Sequence, residues 1–443
     1  MNHPMFAVRR ALLPALAVLA AALPSIAPAA AADIVYTANP PRTMMLSSAN
    51  GIPQAFPFTP SQCAAIFGFT CYTPELMRKA YNVPAQWTGL GQTIVIVDAY
   101  GSPTVADDLH AFSQIFDLPD ADLRVVYPGG KPTFNPLQSH EEANWAFETS
   151  LDVQWAHAIA PDAKIVLVVA ANNGGNVLNN AQKYAIDNRL GQVMSLSFGI
   201  DEAALRGNNG NNGQLAQAHQ NYVAARDAGI TVFASAGDGG ATDGFPIVNA
   251  SYPASDPLVT AVGGTALFMQ DDGTYVGETV WNDADPATCP FGCSAGPIGA
   301  TGGAPSAQYA ASSFQQSLTG SAARLTADVG YNAGVYTGVL VYVGFLGGDN
   351  NGLYFVGGTS AGAPQWAGVT AVINQAKGGA SRGYFNPALY AVGANAAKYA
   401  QAFHDVKVGN NAFFGPGFAA GTGYDLPTGL GSPNVAGLIS VLP

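Results

Sequence analysis

The sequence predicts an α/β protein built on a doubly wound, mainly parallel β-sheet flanked by helices. Two observations carry this prediction. Five short apolar runs have the length of buried strands, and segments with helical periodicity lie between them. Because the runs are apolar at consecutive residues, we expect both faces of each strand to be covered, as is typical of parallel sheets.

The elements follow one another in regular alternation from about residue 73. The predicted strands are TIVIVDAY (93–100), AKIVLVVA (163–170), QVMSLSF (192–198), ITVFASAG (230–237) and LVTAVGG (258–264). The predicted helices are TVADDLHAFSQIF (104–116), the 141–160 region, NNAQKYAIDNRL (179–190) and QLAQAHQNYVAARDAG (214–229). No internal repeat or low-complexity linker divides residues 73–443, so we expect them to form a single domain.

The composition excludes some classes of partner. Apolar residues make up 48% of the chain and charged residues only 10%, and the net charge of −12 reflects few bases more than many acids. A nucleic-acid partner would require a basic face, so none is expected. A sparsely charged surface suits an acidic medium, because protonating a few carboxylates creates little self-repulsion.

The N-terminus predicts export. Arg9 and Arg10 precede the apolar run at 11–23, and small residues suited to cleavage follow up to Ala32. We therefore assign residues 1–32 to a signal peptide and expect a secreted protein with no membrane attachment after cleavage; a retained anchor is the alternative. Residues 33–72 show no clear periodicity and are interpreted as a short N-terminal extension.

The four cysteines fit an exported protein. Cys63 and Cys71 are close in sequence, as are Cys289 and Cys293. Neither pair has CxxC spacing, and a zinc site would require both pairs to converge. Two local disulfides are therefore expected.

The stretch GGTSAGAPQWAG (357–368) places one hydroxyl, that of Ser360, between glycines and the start of a helix. Small residues permit close approach of a substrate, and a helix start presents free N–H groups. Ser360 is a candidate nucleophile, although a helix cap is the simpler role. A nucleophilic serine needs a base. The available histidines lie outside Gly-flanked segments; they are His110, His140, His157, His219 and His404.

Carboxylates offer an alternative base. In ETSLDVQWAHAIAP (148–161), Glu148 and Asp152 are four residues apart and share one helix face, whereas His157 lies on roughly the opposite face. Glu141 joins them if the helix extends that far. A solvated acidic face is the alternative interpretation. The neighbouring residues are mostly apolar, however, which would push the proton affinities of the two carboxyls apart.

A further carboxylate ends a predicted strand. In FASAGDGG (233–240), Asp238 lies between glycines at the carboxyl end of the strand, where sites gather in α/β sheets. A turn aspartate is the common role in such a context. The functional alternative is a carboxyl group offered to a substrate oxygen.

These segments resemble the sedolisins, serine-carboxyl peptidases with a subtilisin-like fold that use Glu, Asp and Ser where subtilisin uses His, Asp and Ser. The similarity extends from about Tyr72 to Pro443. Its motifs are the E-x-x-x-D segment, FASAGDGG, TGGAPSAQY, RLTADVGYNAG, GGTSAGAP and FHDVKVGNN…GTGYDLPTGLGSP. The resemblance implies that residues 73–443 are a single catalytic domain of a secreted endopeptidase acting on polypeptides at acidic pH. We expect a monomer.

The resemblance also implies residue roles. It makes Ser360 the nucleophile, Glu148 the general base, Asp152 the residue that orients Glu148, and Asp238 the partner of the oxyanion. One carboxyl must then be ionised while Asp238 stays protonated, which predicts an acidic optimum with a bell-shaped profile.

The terminal motif is similar to the calcium site of the sedolisins. Its ligands would be the side chains of Asp405 and Asp425 and the backbone carbonyls of Val406, Gly421 and Gly423. All-oxygen ligation suits Ca²⁺. An Asp- and Gly-rich turn is the alternative.

The chain departs from the sedolisin pattern in two places. Sedolisins usually carry a long prosegment, whereas about forty residues separate the predicted leader from the catalytic pattern here, so activation by removal of a large propeptide is not expected. In SLSFGIDE, Phe198 takes the place of the usual Trp, in the strand along which substrate is expected to lie by strand addition.

Other functions are possible. A His-dependent subtilisin would use Asp98 of VIVDAYG, but it would need a histidine in an HGT-like segment, which the sequence lacks. A secreted peptide-binding protein could keep the fold without turnover. A tripeptidyl-type exopeptidase is a further alternative. An adhesive or carbohydrate-binding protein would predict strand repeats, which are not found.

Overall fold

The computed structural model describes residues 34–38, the backbone of 42–48, and residues 58–133, 135, 137, 139–207, 212–286, 296 and 298–443. Residues 32–443 form one compact unit. Throughout the described ranges, helices are too short or too polar to cross a bilayer.

The secondary structure comprises seventeen strands and twelve α-helices within the described residues. The strands are β1 Arg42–Ser48, β2 Thr93–Ala99, β3 Leu123–Val126, β4 Lys164–Ala170, β5 Val193–Leu196, β6 Ile200–Asp201, β7 Thr231–Ser235, β8 Ser251–Tyr252, β9 Thr260–Met269, β10 Tyr275–Val280, β11 Pro305–Ala310, β12 Ala323–Leu325, β13 Val329–Asn332, β14 Val339–Val343, β15 Gly352–Val356, β16 Phe403–His404 and β17 Ser432–Pro433. The helices are α1 Pro60–Phe67, α2 Pro74–Ala80, α3 Val105–Ile115, α4 His140–Ile159, α5 Gly175–Asp187, α6 Glu202–Gly207, α7 Asn212–Asp227, α8 Ser313–Thr319, α9 Thr359–Ala376, α10 Asn386–Gly393, α11 Ala396–Ala402 and α12 Val435–Val441.

An eight-stranded sheet forms the centre of the protein. Its order is β10-β9-β7-β5-β2-β4-β3, with β13 also paired to β9. The β10–β9 pair is antiparallel. The remaining pairs are parallel. The five predicted strands are β2, β4, β5, β7 and β9, so the predicted fold class is confirmed.

The five predicted strands are buried on both faces, as their continuous apolar runs predict. In β2, Ile94 and Ile96 pack into one hydrophobic core and Val95 and Val97 into another, because alternate side chains point to opposite faces. The first core is covered by α4 and α9, and the second by α5 and α7.

Two buried helices position the residues of interest. Helix α9 packs against the sheet, and α4 packs against α9. They approach closely at Gly368, where an added Cβ would lie 2.8 Å from the Cβ of Ile159. From Asn144 to Ile159 every side chain of α4 is buried. This explains why α4 lacks the polar face that surface helices show.

The predicted N-terminal extension contributes ordered elements. Strand β1 pairs antiparallel with β15, which pairs with β14 in a separate three-stranded sheet. Helix α1 is linked to the following segment by a disulfide between Cys63 and Cys71, as predicted. The second predicted pair, Cys289 and Cys293, lies outside the described residues.

Candidate functional site

A cleft of about 730 Å³ opens where several parallel strands end. Ser197 follows β5, Asp238 follows β7, and Ser360 lies in the first turn of α9; all three line the cleft. The carboxyl ends of parallel strands meet at one edge of a sheet, so a site was expected here. The structure brings the candidate nucleophile Ser360 and the candidate oxyanion partner Asp238 to the same cavity.

The turn before Ser360 requires glycine. Gly358 has a φ of +93°, which L side chains rarely adopt. At Gly357, an added Cβ would lie 2.4 Å from the carbonyl oxygen of Ala333. These glycines let α9 begin directly at the cleft, so its free N–H groups point toward whatever binds there.

The carboxyl pair lies on one helix, as predicted, and both side chains are fully buried. Glu148 and Asp152 are each 0% exposed. The Ser197 hydroxyl donates a hydrogen bond to Oδ1 of Asp152 at 2.8 Å and also lies 3.3 Å from the carbonyl oxygen of Ser360. Ser197, which the sequence did not single out, therefore connects the carboxyl pair with the turn that carries Ser360.

Asp98 is a third buried carboxyl in this group. It is the penultimate residue of β2, is 0% exposed, and burial raises its pKa to about 7. Burial and the charges of Asp98 and Glu148 raise the pKa of Asp152 well above its usual value. The hydrogen bond from Ser197 acts in the opposite direction and lowers this pKa by less than the other effects raise it. Sequence reasoning considered Asp98 only as the aspartate of a His-dependent enzyme. Its position after an apolar strand was the signal available.

The remaining candidates on α4 lie apart from this group. Helix α4 does extend to Glu141, whose Oε1 accepts a hydrogen bond from the side chain of Asn173 at 2.5 Å. His157 is buried with Nε2 2.9 Å from the carbonyl oxygen of Pro119, and burial lowers its pKa. His140, at the start of α4, lines the cleft, a placement that its sequence context did not indicate.

Asp238 is held by Thr359, the residue that precedes Ser360. Its Oδ1 accepts hydrogen bonds from the backbone N–H of Thr359 at 2.7 Å and from the Thr359 hydroxyl at 2.8 Å. Burial nevertheless raises the pKa of Asp238 to about 6, because these hydrogen bonds only partly offset desolvation. With Oδ1 engaged twice, Oδ2 is the oxygen suited to carry a proton.

A second acidic pair lines the cleft. Burial and then the neighbouring Asp243 raise the pKa of Asp201 to about 9. Oδ1 of Asp243 accepts the N–H of Gly239, and Oδ1 of Asp201 accepts an amide hydrogen of Asn249. The raised pKa of Asp201 keeps that carboxyl protonated at acidic pH, so this wall of the cleft carries less negative charge than its composition indicates.

The five terminal candidates for calcium ligation lie in two loops, at 405–406 and 421–425, which a hydrogen bond joins. Gly423 donates its N–H to Oδ1 of Asp405 at 2.9 Å, and Gly421 donates to Oδ2 of Asp425 at 3.1 Å. Val406, which follows Asp405 and also belongs to the predicted ligand set, is buried. The Lys407 ammonium lies 3.2 Å from Oδ2 of Asp405. Across the described residues, no three His, Cys, Asp or Glu side chains converge as a metal site.

Comparison with known proteins identifies the family to which this fold and cleft belong. A model of the subtilase family matches residues 122–410, which include Glu148, Asp152, Asp238 and Ser360. The chain belongs to the subtilase family. The resemblance to sedolisins is confirmed as well, because the relatives described next are sedolisin-type enzymes.

Three relatives define the similarity. Kumamolisin from Bacillus sp. (strain MN-32) is 32% identical over 82% of this chain and 62% of its own. Tripeptidyl-peptidase 1 from Dictyostelium discoideum is 28% identical over 86% of this chain and 60% of its own. The solved Pseudomonas sedolisin, a serine-carboxyl proteinase complexed with pseudo-iodotyrostatin, matches with a TM-score of 0.73 and 28% identity over 84% of this chain and 98% of the solved one. The chain thus spans less than two thirds of the length of the first two relatives.

Proposed function

We propose that this chain is a secreted serine-carboxyl endopeptidase that hydrolyses peptide bonds at acidic pH. The observation that carries the proposal is the convergence of Ser360, Asp238 and Ser197 on one cleft, with Ser197 hydrogen-bonded to the buried Asp152. Kumamolisin and sedolisin support the same class of reaction. A binding protein without turnover would have no need of a buried carboxyl group behind a serine.

In the proposed mechanism, the Ser360 hydroxyl attacks the scissile carbonyl carbon and its proton passes to the Glu148 carboxylate. The C–N bond then breaks as Glu148 returns that proton to the leaving amine, which leaves an acyl ester on Ser360. Water, deprotonated by the same carboxylate, hydrolyses the ester. Asp152 orients Glu148, and its raised pKa keeps it protonated so that it can donate to Glu148 without repelling it.

Asp238 is proposed to donate a hydrogen bond to the oxyanion formed in both steps. Its pKa of about 6 keeps the carboxyl protonated below that pH. As the pH rises through about 6 the donor becomes an anion, which repels the oxyanion. The alkaline limb of the pH–rate profile is therefore assigned to Asp238, and the acid limb to protonation of the Glu148 carboxylate, which must be ionised to accept the proton of Ser360.

The decisive experiment is hydrolysis of a denatured protein across pH 2–8 by the wild-type chain and Ser360→Ala. We expect an optimum below pH 6 and a loss of at least about 10⁴-fold in the variant, because the nucleophile is removed while the cleft remains. His140→Ala is the matched control, since His140 also lines the cleft but has no proposed role. Equal loss in His140→Ala, or an optimum above neutrality, would contradict the mechanism.

A tripeptidyl-type exopeptidase is a second candidate, favoured by the similarity to the Dictyostelium tripeptidyl-peptidase 1. Mass spectrometry of the products distinguishes the two. Release of N-terminal tripeptides alone would indicate the exopeptidase, and internal fragments would indicate the endopeptidase.

The compartment and assembly are part of the proposal. We assign residues 1–32 to a signal peptide, because two arginines precede an apolar run that ends in small residues. The exported chain is proposed to act as a monomer on polypeptide substrates, with residues 73–443 as its catalytic domain.

Calcium binding is proposed for the terminal loops. Two carboxylates, those of Asp405 and Asp425, and the carbonyls of Val406, Gly421 and Gly423 provide an all-oxygen donor set of the kind that Ca²⁺ prefers. The donor types fit the ion, and the hydrogen bond from Gly423 to Asp405 joins the two loops. Bound calcium would supply positive charge that holds these loops in place; it takes no part in the chemical steps.

Removal of calcium is expected to lower the melting temperature measured by differential scanning fluorimetry. An ion present at 100 times its Kd stabilises the folded state by about 2.7 kcal/mol, and EDTA would remove that contribution. Asp405→Asn and Asp425→Asn should melt at the same temperature with and without calcium. Asp187→Asn on α5 is the control and should respond to calcium as the wild type does. If EDTA leaves the melting temperature of the wild type unchanged, the calcium proposal is wrong.

A further inference from the structure

A short loop brings two adjacent phenylalanine rings to the cleft. We call residues 411–418 the aromatic loop. Phe413 lines the cavity together with Ser360 and Asp238. The ring of Phe414 lies 4.5 Å from that of Phe413, measured between centroids, and Phe414 is 82% exposed, the highest value for a large apolar residue in the described part of the chain. Aromatic side chains at a cleft are typical of a binding surface.

The base of the aromatic loop is closed by a buried asparagine. Asn411 is 0% exposed, and its side-chain amide donates to the carbonyls of Gly302 and Gly303 at 3.1 and 3.0 Å. Its Oδ1 accepts the N–H of Phe418 at 2.8 Å, and its own N–H donates to the carbonyl of Phe418 at 3.1 Å. These bonds fix both ends of the loop, so the two rings are held in place at its tip.

Backbone hydrogen bonds connect the aromatic loop to the segment that carries Asp238. The N–H of Ala300 donates to the carbonyl of Asp238, and the N–H of Gly240 donates to the carbonyl of Ala300, each at 3.0 Å. The N–H of Ala241 donates to the carbonyl of Asn411, also at 3.0 Å. The position of the rings is therefore tied to that of the proposed oxyanion partner.

The aromatic loop packs directly on the turn that follows Asp238. An added Cβ at Gly240 would lie 2.7 Å from the Cβ of Phe413. At Gly415, an added Cβ would lie 3.0 Å from Cγ2 of Thr242. The loop thus forms a wall of the cleft beside Asp238, and Phe413 is the part of this wall that faces the cavity.

The backbone of Phe414 has an unusual conformation. Its φ is +53°, in the left-handed region that bulky L residues rarely adopt. Glycine would adopt this conformation without strain, yet the position carries a large ring that is mostly exposed to solvent. Strained residues of this kind cluster at sites that bind or convert a ligand.

The polar groups near Phe413 do not favour a basic ligand. The pKa values of about 6 for Asp238 and about 9 for Asp201 keep both carboxyls neutral in acid, and burial also raises the pKa of Asp243. Ile298 adds a further apolar side chain to the lining of the cavity. This part of the cleft therefore suits an apolar side chain better than an ammonium or guanidinium group.

Resting on the proposed function, we infer that the aromatic loop determines specificity by selecting polypeptide substrates with a bulky apolar side chain next to the scissile bond. Phe413 contacts that side chain inside the cleft, and Phe414 covers it on the solvent side. The side chain is aromatic or large and aliphatic, because it must remove apolar surface of both rings from water.

Peptide binding tests the inference without turnover. The protein is the full chain with Ser360→Ala, and the probes are fluorescein-labelled GAAFAAG, GAAAAAG and GAARAAG at pH 4. By fluorescence anisotropy, the Phe probe should bind at least about tenfold more tightly than the Ala probe, and the Arg probe should not exceed the Ala probe. Adding Phe413→Ala should bring the Phe and Ala probes to nearly equal affinity, because the contacting ring is lost.

Three further variants separate selection from folding. Phe413→Leu keeps an apolar side chain and should retain most of the preference for the Phe probe. Phe414→Gly should fold, because glycine adopts a positive φ without strain, and should reduce the preference. Ile66→Ala is the control, since Ile66 is an exposed apolar residue on α1 outside the cleft, and it should leave the preference unchanged.

The outcomes distinguish this inference from the proposed function. A parent chain that binds the Phe and Ala probes equally, or the Arg probe most tightly, would overturn the inference, as would Phe413→Ala if it weakened all probes by one factor. With Ser360 restored, mass spectrometry of a digested denatured protein should find bulky apolar residues beside the cleaved bonds, and fewer of them with Phe413→Ala. Probe selectivity without hydrolysis by any chain would support the apolar site and reject the peptidase.

Discussion

Glu148→Gln is expected to lower kcat/KM for peptide hydrolysis by about 10⁴-fold at the optimum, the scale of losing a serine enzyme's base. The amide has the shape of the carboxylate but cannot accept the proton of Ser360. Because Glu148 is fully buried in α4, a shape-conserving change is needed to keep the helix packed. The measurement is steady-state hydrolysis of a fluorogenic peptide from pH 2 to 8.

Glu142→Gln provides the matched control on the same helix. Glu142 lies in the first turn of α4 and accepts the N–H of Asn135, away from the buried carboxyls. It should retain the wild-type rate and pH profile. If Glu148→Gln instead keeps an acidic optimum with a rate near the wild type, the base is another residue, and Asp98 and Asp152 become the residues to test.

Asp238→Asn and Asp238→Ala are expected to differ sharply. Alanine removes the donor to the oxyanion and should lower kcat by about 10²–10³-fold. Asparagine keeps an N–H donor, and its Oδ1 can still accept both hydrogen bonds from Thr359. It should therefore retain most of the activity at acidic pH.

The pH profile gives the sharper test of Asp238. Ionisation of the wild-type carboxyl near pH 6 removes the donor, whereas an amide is a donor at every pH. The alkaline limb should consequently move upward in Asp238→Asn, measured as kcat from pH 4 to 9. An unchanged alkaline limb would assign that limb to another group. Equal losses in Asn and Ala would contradict a hydrogen-bonding role.

Much of the fold could be predicted because its signals are local. The strand runs of β2, β4, β5, β7 and β9 are apolar over consecutive residues, and burial on both faces is the physical cause. The placement of Glu148 and Asp152 on one face of α4 was also predictable from local sequence, because helix geometry alone puts residues four apart on the same face.

The remaining parts of the site depend on contacts between distant segments. Asp98 and Asp152 are 54 positions apart in sequence, and only the packing of α4 against the sheet brings their charges together. The segment 34–38 has no periodic pattern of its own, because its hydrogen bonds are made to residues near 173 and 199. The roles of Ser360, Glu148, Asp152 and Asp238 remain predictions, as does calcium binding.

The buried carboxyls affect how the stability of the folded protein depends on pH. In an unfolded chain an aspartate ionises near pH 4, whereas burial raises the pKa of Asp98, Asp108 and Asp283 to about 7. Between these values each of these carboxyls binds more protons in the folded state, so their contribution to the free energy of unfolding is largest below about pH 4 and decreases as the pH rises toward 7. These three carboxyls therefore favour the native state in acid, and at neutral pH the folded protein loses their contribution to its stability.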